Sequence, residues 1–295
     1  MANTINWGKI YESTAWGNTD NSISWGKSYA DLAGGGGFTG LLDTYSGAAA
    51  AYSLRQLSST YSGDAIVVTT NGSDSASIGF VNNELDTASL EAFAGSGDAY
   101  VSVWYDQSGN GNNATQTSFS AMPKIVSAGS TILENGKAAI QWDGSNDNMV
   151  ATGFGTGQQR SVFTTMVGNG NGSGYENYFI FAQSGSITGN FMQIYSTNYT
   201  SSLNANFPTA SLDITSSTAP NTQQIISFLK TTSNSYVYQN TSLSGSGSGT
   251  QALEDYLNLG NFSNNYAFVK YQEFIVYNSD ESTNRTGIET NINSY

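Results

Sequence analysis

Residues 99–116 read Ala-Tyr-Val-Ser-Val-Trp-Tyr-Asp-Gln-Ser-Gly-Asn-Gly-Asn-Asn-Ala-Thr-Gln. The first half is a strand: Tyr100, Val101, Val103, Trp104 and Tyr105 are β-branched or aromatic, the types that fit a pleated, half-buried surface. The second half stops it. Asp106 to Asn112 combines two glycines with several short side-chain oxygens, the chemistry of a tight loop. A strand that delivers a polar, Gly-rich loop to a sheet edge builds either a sugar or cation site, or an ordinary turn.

Outward from this stretch the same alternation recurs. Ala65–Thr70, Ser77–Val81, Lys137–Trp142, Ser161–Val167, Tyr178–Ala182, Phe191–Tyr195, Gln223–Leu229, Ser235–Gln239, Tyr256–Gly260 and Ala267–Tyr277 read as strands separated by Gly, Asn, Asp and Ser. Many short strands with regular turn signals predict an all-β sandwich or jelly roll of two antiparallel sheets. Helices are few. Apolar residues from Leu41 to Leu57, mostly three or four apart, with alanines at 48–51, predict a helix between Gly40 and Gly63. Asp86 or Thr87 caps a short helix over 88–93 closed by Gly95, and Ile288, Ile292 and Tyr295 mark a final amphipathic helix.

Composition excludes several functions. The net charge is −13 with only 9 Lys and Arg, which argues against nucleic acid and against anionic membrane surfaces. No cysteine and no histidine occur, so a disulfide framework, a Ser-His-Asp triad and a His-ligated zinc are excluded. Charged residues make up 11% and aromatic residues 13%, so the chain builds a core and covers it with Ser, Thr, Asn and Gly. No secretory signal and no transmembrane run are read, which predicts a protein made in the cytoplasm with no membrane insertion.

Residues 1–33 carry a repeat. Trp-Gly occurs at 7, 16 and 25, in a polar segment too short for a core of its own. Trp is enriched at interfaces, so Trp7, Trp16 and Trp25 read as a docking arm for a partner, against the alternative that the arm packs on the chain's own domain. The glycines of 34–39 form a hinge, and residues 40–295 form the sandwich domain.

Several stretches resemble the catalytic domain of α-L-arabinofuranosidase B. They are Ala51–Gly63, Leu85–Ala88, Trp104–Gln116 and Asn135–Ala138. Trp142–Asp147, Tyr236–Asn240 and Glu273–Asn278 resemble the wider concanavalin A-like (laminin-G-like) superfamily, so the resemblance covers residues 40–295 and implies that fold. In that family a nucleophilic Glu follows an Asp-Met pair and an acid/base Asp follows a Leu-Gly-rich strand. The counterparts here are Phe191-Met-Gln-Ile-Tyr-Ser-Thr-Asn198 and Leu257-Asn-Leu-Gly-Asn-Phe-Ser263, and neither holds an acid. A retaining hydrolase needs two carboxylates, about 5 Å apart. The resemblance therefore implies a fold kept for binding and no enzyme, the alternative being a hydrolase with relocated carboxylates among Glu176, Asp213, Glu254 and Asp255.

Tyr105, Asp106, Asn110, Asn112, Tyr175 and Tyr178 are the glycan-binding candidates: aromatic platforms beside amides and a carboxylate. Tyr175 lies in a Gly/Asn-rich loop, whereas Trp104 and Trp142 read as core. Asp106, Asn110 and Asn112, with Ser108, also form a weak Ca²⁺ candidate, with a turn as the competing reading. No other cofactor is expected. The Trp-Gly-Lys-Ile-Tyr opening is similar to the start of phage structural proteins. Together these readings predict a virion fibre, spike or capsid-decoration subunit of a bacteriophage, with a lectin-like head for host-surface polysaccharide. It would dock on other virion proteins through 1–33 and form a homo-oligomer, possible as a trimer. A capsid component without ligand is the third reading.

Overall fold

A computed structural model describes residues 38–168, 175–182, 192–197, 203–207, 210–214, 222–250 and 252–295. Trp7, Trp16, Trp25 and positions 34–37 of the glycine hinge lie outside the described residues. In chain order the elements are α1 (Leu41–Thr44), β1 (Ala48–Ser53), β2 (Ile66–Thr69), β3 (Ala76–Ile78), α2 (Thr87–Ala94), β4 (Ala99–Trp104), β5 (Ala114–Thr115), β6 (Lys124–Ser127), β7 (Ile140–Asp143), β8 (Met149–Ala151) and β9 (Arg160–Gly168). There follow β10 (Tyr175–Ala182), β11 (Met192–Thr197), β12 (Leu203–Phe207), β13 (Ala210–Ile214), β14 (Gln224–Lys230), β15 (Asn234–Gln239), β16 (Ser242–Ser248), β17 (Tyr256–Leu259), β18 (Phe268–Tyr277) and α3 (Arg285–Asn293).

The strands form two antiparallel sheets. In the first, one edge of β18 pairs with β1 and β7 in turn and the other with β9, followed by β14, β15 and β16. The second runs β3-β2-β4-β5-β8-β17-β10-β11-β12-β13. β6 links the two, pairing with β4 and meeting β7 at Gln141. Side chains from facing strands fill the space between: Trp104, Trp142, Phe179, Phe181, Tyr271 and Phe274 are all fully buried. Trp142 meets Tyr271 edge-on at 5.0 Å between centroids, and Phe179 meets Phe274 likewise at 5.0 Å.

The first sheet is covered on its outer face as well. Along β18, Phe274 and Val276 enter the inter-sheet core, while Ile275 and Tyr277 pack outward with Ile288 and Ile292 of α3. This explains why β9 is buried along nearly its whole length and β18 along most of it, polar residues included. The final helix expected from Ile288 and Ile292 is α3, and the capped helix is α2, where Asp86 accepts from the Ser89 N–H at 3.1 Å.

The helix expected over 40–63 is corrected. Only Leu41–Thr44 is helical, and Ala48–Ser53 is a strand buried along its whole length. Its alanines lie between β18 on one edge and the loop after β4 on the other. Backbone pairing across more than 200 residues of sequence thus overrides the local preference of alanine for helix.

Candidate functional site

The loop after β4 turns its polar groups inward. Asp106 is 5% exposed, and its carboxylate accepts from the Ala51 N–H (2.8 Å), the Ser108 N–H (2.8 Å) and hydroxyl (2.8 Å), and the Asn112 N–H (3.0 Å). Asn110 Nδ2 donates to the Ala48 carbonyl at 2.9 Å and Asn112 Nδ2 to that of Ala49, also at 2.9 Å. Gln107 accepts from the Leu57 N–H and donates to the carbonyls of Ser53 and Arg55. These side chains take the place of a neighbouring strand along the free edge of β1. The loop also borders a cavity of about 340 Å³ shared with Asp43, Ser58, Thr60 and Tyr61.

The other glycan candidates are dispersed. Tyr105 is half-buried, its N–H donating to the Ala65 carbonyl at 2.9 Å. The backbone of Tyr175 opens β10 rather than standing in a loop, and its side chain lies outside the described residues. Tyr178 is corrected as a sugar platform. At a bulge in β10 its ring turns into the inter-sheet core, 3% exposed, with its hydroxyl 3.3 Å from Glu176 Oε2. Trp104 and Trp142 are core, as expected. Among the described residues no three His, Cys, Asp or Glu side chains cluster in a way that would hold a metal.

A different constellation emerges on the second sheet. Register places Gln193 beside Ile180, Ile180 beside Asn258, and Asn258 beside Val150. The flanking residues Met192, Ile194, Phe179, Phe181, Leu257, Leu259, Met149 and Ala151 all belong to the inter-sheet core. Strand alternation therefore turns Gln193 and Asn258 to the opposite face, about 10 Å apart across two inter-strand spacings. Near this row, Asn177 donates through Nδ2 to the carbonyls of Phe262 (3.2 Å) and Asn265 (3.4 Å), in the hairpin that follows β17.

Among the described residues, three amide oxygens here are buried without a hydrogen-bond partner: Asn177 Oδ1, Asn258 Oδ1 and Asn261 Oδ1. Buried acceptors normally find a donor, and an orphan costs about 1–3 kcal/mol. The shape of the hairpin follows from Gly260. Its φ of +87° is a left-handed conformation, and a Cβ there would lie 2.2 Å from Trp142 Cδ1. Asn177 and Asn258 were not among the residues singled out from the sequence, and Gln193 and Asn261 entered only as positions lacking an acid. The signal for Asn258 and Gln193 is the period-2 pattern Leu257-Asn-Leu and Met192-Gln-Ile, an amide between two core residues; Asn177 and Asn261 carry no such signal.

Carboxylates near these strands have other contacts. Glu176 is 2% exposed beside the Tyr178 hydroxyl. Asp255 accepts from the N–H groups of Gly153 (3.0 Å) and Gly155 (2.6 Å), and the main-chain carbonyl of Glu254 accepts from Arg160. Asp213 lies on β13, its side chain outside the described residues.

No protein-family model matches the chain, and no curated protein sequence does. Solved structures match. A Glu-to-Gln mutant of a GH54 α-L-arabinofuranosidase soaked with 4-nitrophenyl α-L-arabinofuranoside superposes with a TM-score of 0.69 at 17% identity, over 83% of this chain and 62% of that one. An arabinofuranosidase complexed with arabinofuranosyl-α-1,2-xylobiose gives 0.65 at 17% identity over the same shares. Trypanosoma rangeli sialidase with the inhibitor DANA gives 0.50 at 13% identity, over 64% of this chain and 30% of that one. The fold is a concanavalin A-like sandwich. The chain spans 62% of the length of the arabinofuranosidase structures it matches.

Proposed function

We propose that the sandwich is a lectin-like module that holds a neutral glycan on the face of the second sheet that bears Gln193 and Asn258 and does not cleave it. The observation that carries this reading is the set of orphan oxygens of Asn177, Asn258 and Asn261 beside Gln193. Sugar hydroxyls are donors of the kind such acceptors lack, and a planar carboxamide can both give to and take from adjacent hydroxyls. The stretches that resemble the carboxylate-bearing segments of arabinofuranosidases offer Gln193 and Asn261, which hold a sugar oxygen yet neither protonate nor attack it.

The test pairs binding with turnover. Asn258→Ala is expected to weaken glycan binding about ten-fold or more, the value of one or two hydrogen bonds. The wild-type chain is expected to leave 4-nitrophenyl α-L-arabinofuranoside intact. Release of nitrophenol that disappears in Glu176→Gln would overturn this reading in favour of a hydrolase with relocated carboxylates, which the burial of Glu176 on the neighbouring part of β10 favours.

The proposal includes a location. The repeat of Trp7, Trp16 and Trp25 supports a docking arm in a virion, which would leave the sandwich to meet host-surface polysaccharide. Particles assembled with a chain lacking residues 1–33 should be devoid of it; incorporation of the truncated chain would refute the docking role.

A further inference from the structure

On the other side of the molecule, α3 crosses the outer face of the first sheet and leaves a groove. A cavity of about 260 Å³ is floored by Ile225 and Ile292, 6% and 5% exposed, and walled by side-chain amides. It shares Lys137 and Tyr295 with a second cavity of about 530 Å³ beside the hairpin of Leu133–Glu134 and Lys137–Ala138. The two form one trough, divided by the Lys137–Tyr295 contact.

The amides are held in a fixed order. Gln272, 4% exposed, donates to the carbonyls of Glu134 (3.0 Å) and Lys137 (3.2 Å), which sets its orientation. Its oxygen accepts from Gln223 Nε2 at 2.9 Å, and Gln223 Oε1 accepts in turn from Asn135 Nδ2. Opposite, Asn240 Oδ1 accepts from the Ile225 N–H at 3.0 Å. Among the described residues, this leaves Asn135 Oδ1, Asn240 Nδ2 and the whole carboxamide of Asn293 without partners at the groove wall.

Lys137, the charged side chain shared by the two cavities, is paired within the fold. Lys137 Nζ lies 2.8 Å from Glu84 Oε1 and 4.4 Å from the Tyr295 ring centroid, and Glu91 accepts from the Thr131 N–H at 2.9 Å. An anionic ligand would have to break the Lys137–Glu84 pair. An apolar floor and prearranged amides, with Lys137 already paired to Glu84, match a neutral polyhydroxylated chain.

We propose that this trough is a second saccharide-binding site, which takes a neutral linear oligosaccharide across the Lys137–Tyr295 ridge. It lies on the opposite side of the sandwich from the face of the second sheet that bears Gln193 and Asn258 and does not depend on that reading. Two such sites on one chain would let it grip a polysaccharide at two places, raising avidity.

The test is an NMR titration of the ¹⁵N-labelled full chain with maltohexaose, xylohexaose and mannohexaose, following Asn and Gln side-chain amides. At least one hexaose is expected to shift the amides of Gln223, Asn240 and Asn293. Asn293→Trp, an exposed position that would plug the groove, and Gln223→Ala should each weaken those shifts at least ten-fold. Neither should alter the shifts of Asn258, and Asn258→Ala should leave the groove shifts in place. Groove amides that stay unshifted with every hexaose at about 10 mM, a concentration that half-saturates even very weak sites, would overturn the proposal. They would do so whether or not Asn258 responds.

Discussion

Asp106 gathers its donors from the strand Ala48–Ser53 and from its own loop, which makes it the residue that fixes the end of β4 against β1. Removing a buried, multiply bonded carboxylate leaves several N–H groups without acceptors. Asp106→Ala should therefore cost about 3 kcal/mol or more, read as a fall in the urea midpoint. Asp147 behaves differently. Burial pushes its carboxyl up to about 7, the charge of Asp143 adds to the effect, and the Asp143 N–H offsets part of it. In the folded state it thus keeps its proton at pH values where the unfolded chain, with an ordinary value of 3.8, has lost it. The associated stability is present below about pH 4 and is lost as pH rises through about 7. Asp74 works in the opposite sense below that window: hydrogen bonds from Thr70 lower it to about 2, so its contribution disappears as pH falls. The expected outcome is a thermal midpoint that declines between about pH 4 and about pH 7, with the decline flattened in Asp147→Asn. A polar loop was legible in Asp106–Asn112 from composition alone. What its side chains bind was not, because their partners between Ala48 and Leu57 lie from 50 to 63 residues earlier in the chain.

At the level of elements, Gly260 links the core to the candidate site. Replacing it by Ala would force a left-handed φ on a residue with a Cβ and drive that Cβ into the buried Trp142 indole. The expected loss is about 2–4 kcal/mol, measured by chemical unfolding, together with weaker glycan binding through displacement of Asn261. Strands such as β4, β9, β14 and β18 were legible because their residues are β-branched or aromatic and their ends carry turn formers. The capped helix α2 was legible for a local reason too, since Asp86 and Gly95 supply its cap and its stop within the helix's own sequence. The segment 40–57 was misread because its apolar spacing suits a helix as well as a fully buried strand. Periodicity alone does not separate the two when no polar face is present.

For the whole molecule, the net charge of −13 stands beside two candidate sites built from amides. Binding of a neutral glycan should therefore change little between about 50 mM and about 500 mM salt, because no long-range charge attraction is involved to be screened. A steep loss of affinity with salt, measured by calorimetry, would point to an ionic ligand instead. The sequence by itself determined the all-β class, most of the strands, two of the helices and the exclusion of histidine and cysteine chemistry, since these follow from local pattern and composition. Only the tertiary structure decided which side of each strand faces outward, that Tyr178 turns inward, and that Asn177, Asn258 and Asn261 come together with oxygens unpaired. Those properties depend on register between strands distant in the chain, where a shift of one residue exchanges the buried and open faces. The alternation in Leu257-Asn-Leu is local, but which strands it is brought beside is not.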